Sequence, residues 1–300
     1  MTRSLAFLAV MLAASAQPRD PAAWGHNHVG QQVPDYVHGD ECLFCHRETI
    51  GNGWQKNRHG LTLRQREDAP DLDAALASKP DLAPFAKQVT HFLGSRQVVR
   101  YLAKDGYGKF DLLSTGSPPA WDKSRFADRC AGCHTTGVDT SRTFSAFGLD
   151  CYVCHGVVDL NHTHDVSLVW LSKKRRGDAQ AITSLCAQCH LRGGLAKSTR
   201  LPYPDNFVAG DNLFQDFQVD LSKADDSKLN PGDRHIYRNV RDVAVNGSDT
   251  TCLSCHRIHG DGSRKHRLVL TGDACLDCHN PSGPKKDVKR YQVHSELCEY

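Results

Sequence analysis

Twelve of the thirteen cysteines stand in C-x-x-C pairs, and a histidine directly follows every pair: Cys42/Cys45/His46, Cys130/Cys133/His134, Cys151/Cys154/His155, Cys186/Cys189/His190, Cys252/Cys255/His256 and Cys275/Cys278/His279. Histidine fills 17 of 300 positions, so chance would produce six such coincidences about once in ten million or less. Disulfides would suit an exported chain, but they give no reason for the invariable histidine. Structural zinc usually couples two C-x-x-C knuckles and does not demand histidine after each. Covalent haem c uses all five letters of CxxCH: two thiols add to the porphyrin vinyl groups, and the adjacent imidazole is the proximal iron ligand. The sequence therefore predicts six covalent c-type haems, with His46, His134, His155, His190, His256 and His279 as proximal ligands.

The second axial ligand follows from what the chain lacks. Its only methionines are Met1 and Met11, both in the segment expected to be removed, so bis-histidine ligation or an open position remains. Histidine outside the motifs is plentiful: His26, His28, His38, His59, His91, His162, His164, His235, His259, His266 and His294. The candidates are His59, His162 or His164, His235, His259 and His294, with His28 or His38 as the last. In "CLSCHRIHG" (252 to 260), His259 lies on the same side as His256 and cannot cross the ring. It serves a different iron, or none.

The first residues, MTRSLAFLAVMLAASAQPRD, read as a signal peptide cut after Ala16: one arginine, an apolar run too short to span a bilayer, then a small-x-small site. A periplasmic or extracellular chain with no transmembrane segment in its mature form is expected. Apolar residues, counting glycine but not tyrosine, make up about 44%, slightly under the usual share of about 45–50%. The net charge of +3 includes Arg3, and about one negative charge per oxidised haem would turn the holoprotein mildly acidic. The basic runs at 173–176 and 285–290 lack interleaved aromatics, which argues against nucleic acid. Redox proteins are the expected partners.

Successive motifs begin 88, 21, 35, 66 and 23 residues apart, so some haems should nearly touch, with porphyrins supplying much of the buried apolar surface. The expected fold class is mainly α with much irregular loop and a small β-hairpin, organised around packed haems. One multihaem unit should cover 17–300, with a haem-poor insertion over about 60–125. Within it, 64–88 reads as short helices broken by Pro70, Pro80 and Pro84. "VVRYLAKDGYGKFDLL" (98 to 113) reads as a hairpin around Lys104-Asp105-Gly106. At the end, Cys298 in "HSELCEY" would begin a seventh CxxCH, and so bind a seventh haem, if the chain ran on past Tyr300; otherwise it is a frayed tail.

"GDECLFCHRETIGNGWQKNRH" (39 to 59), "FLGSRQVVRYLAKDGYGKF" (92 to 110), "CAGCHTTG" (130 to 137), "GLDCYVCHG" (148 to 156) and "CLSCHRIHG" together resemble the multihaem c-type cytochromes related to cytochrome c-554 of ammonia oxidisers. The resemblance covers most of the mature chain. It implies mostly bis-histidine haems, electron transfer, and distal ligands at His59, at His162 or His164, and at His259. The related tetrahaem proteins have fewer motifs, so it implies nothing about how six haems are arranged. The expected function is an electron relay through low-potential haems with no catalytic residue. The runner-up is an oxidoreductase of small nitrogen or sulfur compounds with one open iron, and a third reading is a zinc-stabilised binding module.

Overall fold

The computed structural model describes residues 25–94, 98–172, 177–256 and 258–260. The expected leader (1–16), both basic runs, the sixth motif at Cys275, Cys278 and His279, and also His294 and Cys298, lie outside the described residues. Helix α1 (Gly39–His46) carries the first motif, and its opening turn holds Asp40 and Glu41, which complement the helix dipole. A short α2 (Asn52–Trp54) then leads into a sheet.

That sheet has five antiparallel strands in sequential order: β1 (Leu63–Gln65), β2 (His91–Leu93), β3 (Arg100–Lys104), β4 (Phe110–Ser114) and β5 (Ala120–Asp122). Between β1 and β2 lie α3 (Pro70–Ala77) and α4 (Ala83–Ala86). Pro70 opens α3, where a missing N–H costs nothing, and Leu72 and Leu76 share its buried face. The sheet overturns the expectation of a mainly helical chain with one small hairpin. Strands β3 and β4 form the expected hairpin, with Leu102 opposite Leu112. The other three strands have three residues each, too few to show a period of two. They form because the hairpin's edges present unpaired backbone groups that further strands can satisfy.

Alternation assigns the two faces of the sheet. Leu63, Leu93, Leu102, Phe110 and Leu112 pack with Phe126 and Ala131, beside Cys130 and Cys133. Phe92, Tyr101 and Leu113 pack under Leu72 and Leu76 of α3. A core made of the chain's own side chains thus replaces, in this region, the expected organisation around cofactors.

The remaining motif helices are α5 (Arg125–Arg129) running into α6 (Ala131–His134), α7 (Cys151–His155), α8 (Ala179–His190) and, after α9 (Pro231–Ala244), α10 (Cys252–Cys255). Asp178 caps α8 by accepting from the Ala181 N–H, and Asn230 caps α9 by accepting from Asp233. Ala187 and Leu191, at the end of α8, pack with Tyr237 and Val240 of α9 and with Leu213, Phe214 and Phe217. Among the described residues, no helix is long and apolar enough to cross a membrane.

Candidate functional site

Each of the five described motifs forms one helical turn. Residues i and i+3 then share a face, with i+4 beside i, so two thiols and an imidazole converge on one edge. All ten described motif cysteines are free thiols. Nine of them are half-buried, as anchors set around a packed cofactor should be. Cys45 departs from that expectation and is exposed. The reason is its place on α1, which buries only Gly39 and leaves the adjacent Phe44 at 88% exposure, so none of the described residues encloses this thiol. Among the described residues, no three His, Cys, Asp or Glu side chains gather closely enough to hold a bare metal ion.

The imidazoles are arranged in a repeated way. His46 faces His162 with ring centroids 6.2 Å apart and planes at 28°. His155 faces His259 at 5.9 Å and 26°. His190 faces His59 at 6.1 Å and 81°. In each pair one ring ends a CxxCH motif and the other lies outside any motif. Two metal–nitrogen bonds of about 2 Å, plus about 1.1 Å from each nitrogen to its ring centre, would place two axial imidazoles about 6 Å apart. Aromatic neighbours also occur at such separations. The threefold recurrence, always one motif histidine against one other, sets these pairs apart.

The proton positions also suit ligation. The second nitrogen, Nδ1, lies 2.7 Å from Trp170 O in His155, 2.8 Å from Asp159 O in His162 and 3.3 Å from Asn57 Oδ1 in His59. With Nδ1–H donated to oxygen, the Nε2 lone pair is left for a metal. Burial draws the pKa values of His134 and His155 below the ordinary range, favouring the neutral form that can ligate.

Sequence reasoning missed Asn57, which is fully buried. Its Oδ1 accepts from the His59 N–H, and its Nδ2 donates to Ile258 O and to Gly260 O, the latter at 3.1 Å. One amide thus fastens the segment bearing His59 to the segment bearing His259. No local pattern signals this, because the partners are 201 and 203 residues away.

Neighbouring motifs touch. The thiols of Cys42 and Cys151, of Cys133 and Cys189, and of Cys186 and Cys252 lie side by side. Asp150 braces the first of these joints: it accepts from Tyr152 N at 2.9 Å, from Gly39 N at 3.3 Å and from the Tyr36 hydroxyl. A Cβ at Gly39 would sit 3.2 Å from the Asp150 Cβ, a tight contact that would push α1 and Asp150 apart by a few tenths of an ångström.

The other expected ligands fare differently. His164 is exposed and is brought to no other imidazole among the described residues; His235 lies exposed on α9. His38 is exposed and caps α1, its Nδ1 accepting from Asp40 N. His28 donates to Asp211. Among the described residues no imidazole faces His134, whose buried Nδ1 has no hydrogen-bond partner.

A cleft of about 1370 Å³ lies against α1 and α7, lined by Leu43, Phe110, Phe126, Phe144, Phe147 and Cys151. Pockets for single small ligands run to about 300–1,000 Å³, so this one has room for more than one flat macrocycle. That cleft takes in one motif thiol, Cys151, between apolar and charged walls; the CxxCH turns with their facing imidazoles are the donor set that fits haem c.

No protein-family model and no curated protein matches the chain. Among solved structures, it is similar to the undecaheme cytochrome from the S-layer of Carboxydothermus ferrireducens, at 16% identity and a TM-score of 0.44, covering 85% of this chain and 44% of that one. The chain thus spans less than half of that protein's length. At this level the likeness carries no weight for function, which rests on the chain's own residues.

Proposed function

We propose that this chain is an exported electron-transfer protein that binds six covalent c-type haems at its CxxCH motifs, mostly between two imidazoles. The observation that carries the reading is the recurrence of a motif histidine facing a non-motif histidine: His46 with His162, His155 with His259 and His190 with His59. When bound, haem c supplies a one-electron ferric/ferrous couple. The chain's part is to hold and insulate. Paired thiols anchor the cofactor edge, and Nδ1–H donation to oxygen fixes each ligating ring. Absence of methionine beyond position 11 leaves an all-imidazole ligand set, which keeps potentials low. Touching motif helices hold neighbouring sites together, as a relay requires. Redox proteins would be its donor and acceptor, outside the cytoplasm if the leader is cleaved after Ala16.

The test is production alongside a haem-attachment system, followed by a covalent haem count and spin-state spectroscopy. Six haems, predominantly low-spin, are expected; a folded but colourless protein would end the proposal. A second reading, an oxidoreductase of a small nitrogen or sulfur compound, draws on His134, which no imidazole faces among the described residues. A high-spin haem that binds such a compound and is lost with Cys130 and Cys133 would favour it.

A further inference from the structure

His28 stands outside the three facing pairs, yet its ring is held as theirs are. Its Nδ1 lies 2.7 Å from Asp211 Oδ1, and its backbone N–H donates to Asp211 Oδ2 at 3.2 Å. Val208 N donates to the same oxygen at 3.0 Å, so the carboxylate is fixed from its own side of the joint. Asp211 is only 3% exposed. Further hydrogen bonds tie the flanks: Asn206 Nδ2 donates to Gln31 O at 2.8 Å, Asn27 Nδ2 to Asn212 O at 2.8 Å, and Asn212 N to His26 O at 2.7 Å. This is considerable scaffolding for one half-buried imidazole. A carboxylate that accepts Nδ1–H places the lone pair on Nε2 and makes it more basic, the usual arrangement behind a metal-binding histidine.

The comparison with the other rings is specific. Trp170 O, Asp159 O and Asn57 Oδ1 are neutral acceptors, whereas Asp211 is an acid. An anionic acceptor gives the imidazole more imidazolate character and stabilises ferric iron most.

We propose that His28 is an axial ligand, through Nε2, of a haem other than those at His46, His155 and His190, and that Asp211 is its positioning residue, making that haem the lowest in potential of the set. The inference rests on the haem reading above, but it can fail separately.

The experiment is EPR and a spectroelectrochemical titration of the full, haem-loaded protein, wild type against three variants. His28→Ala should keep all six haems while one turns high-spin, and added imidazole should restore the low-spin signal. His28→Met should keep that haem six-coordinate and raise its midpoint, since a thioether ligand raises potential. Asp211→Asn should leave every haem low-spin and raise only the lowest midpoint. If His28→Ala and His28→Met match wild type in spin state and in every midpoint, His28 is no ligand and the inference is overturned. If either His28 variant loses haem, Asp211→Asn decides: an unmoved lowest midpoint overturns the inference. Wild-type protein without covalent haem would instead overturn the haem reading itself.

Discussion

The sheet between Leu63 and Asp122 and the motif helices are held together by different means. The stretch has no cysteine, and its strands bury their own side chains: Phe92, Tyr101, Leu102 and Leu113 are almost wholly enclosed. Helices α6, α7 and α10 are four or five residues long, far below the roughly 12–15 at which an isolated helix is even marginal in water. Of the imidazoles that end these three motifs, His155 faces another, His259, with ring centroids 5.9 Å apart. The sheet buries a core that also takes in Ala131 of α6, whereas α7 buries only Tyr152 and α10 buries no residue. A haem c in those positions would act as core as well as cofactor.

The largest expected effect follows from that contrast. Protein made without haem attachment should lose amide-exchange protection throughout α7 and α10 while Leu102 and Leu113 remain protected. Uniform protection with and without haem would remove the distinction. Next, Leu102→Ala should destabilise the protein by about 2–5 kcal/mol in denaturant titrations, because a fully buried leucine leaves a cavity. The haem spectrum of that variant should be unchanged at low denaturant; altered ligation would mean that the sheet also shapes the sites.

Smaller, and local to single irons, are the axial variants. His59→Ala, His162→Ala and His259→Ala should each turn one haem high-spin by EPR, and His164→Ala none. Asn57→Ala should perturb two haems at once, those at His190 and His155, since its amide fastens both His59 and the segment of His259. A change in only one would show that the two segments are positioned independently.

What the sequence made legible tracks how local each relation is. The motifs are visible because five adjacent letters carry the whole attachment chemistry. Their surroundings are not: nothing in "CLFCH" distinguishes the exposed Cys45 from the half-buried second thiols of the other described motifs, because enclosure depends on what the fold brings alongside. His59 and His259 stand out because imidazole is the only plausible second ligand in a chain without methionine beyond position 11. The sequence leaves His162 and His164 open; the structure sets His162 opposite His46 and leaves His164 exposed. Which ring serves which motif was illegible, since His59, His162 and His259 each reach a motif other than the one they follow. The sheet was underestimated for the same reason: β1, β2 and β5 owe their existence to hydrogen bonds with residues elsewhere, not to a pattern of their own.

The smallest effect concerns Asp150, the brace between α1 and α7. Burial outweighs its three hydrogen bonds and raises its pKa above the ordinary 3.8; the Tyr36 hydroxyl that donates to it is itself pushed well up by burial. The sign follows from linkage: the folded state keeps a proton that the unfolded chain has already released, so stability falls as pH rises from 3.8 through the folded value, then levels off. Asp150→Asn abolishes this titration. It keeps an acceptor for the Tyr152 N–H but has one oxygen fewer for Gly39 and Tyr36, a loss of about 1 kcal/mol. Thermal melts of the haem-loaded protein should therefore show wild type most favoured over Asp150→Asn at the acid end, with the gap narrowing as pH rises. His38, Cys42 and Cys151 also lie near this carboxyl. Thioether formation would silence the two thiols, and His38→Gln measured in parallel isolates the imidazole. A gap between wild type and Asp150→Asn that does not vary with pH would mean that the carboxyl titrates in the folded protein as it does in the unfolded chain, so that burial does not hold its proton.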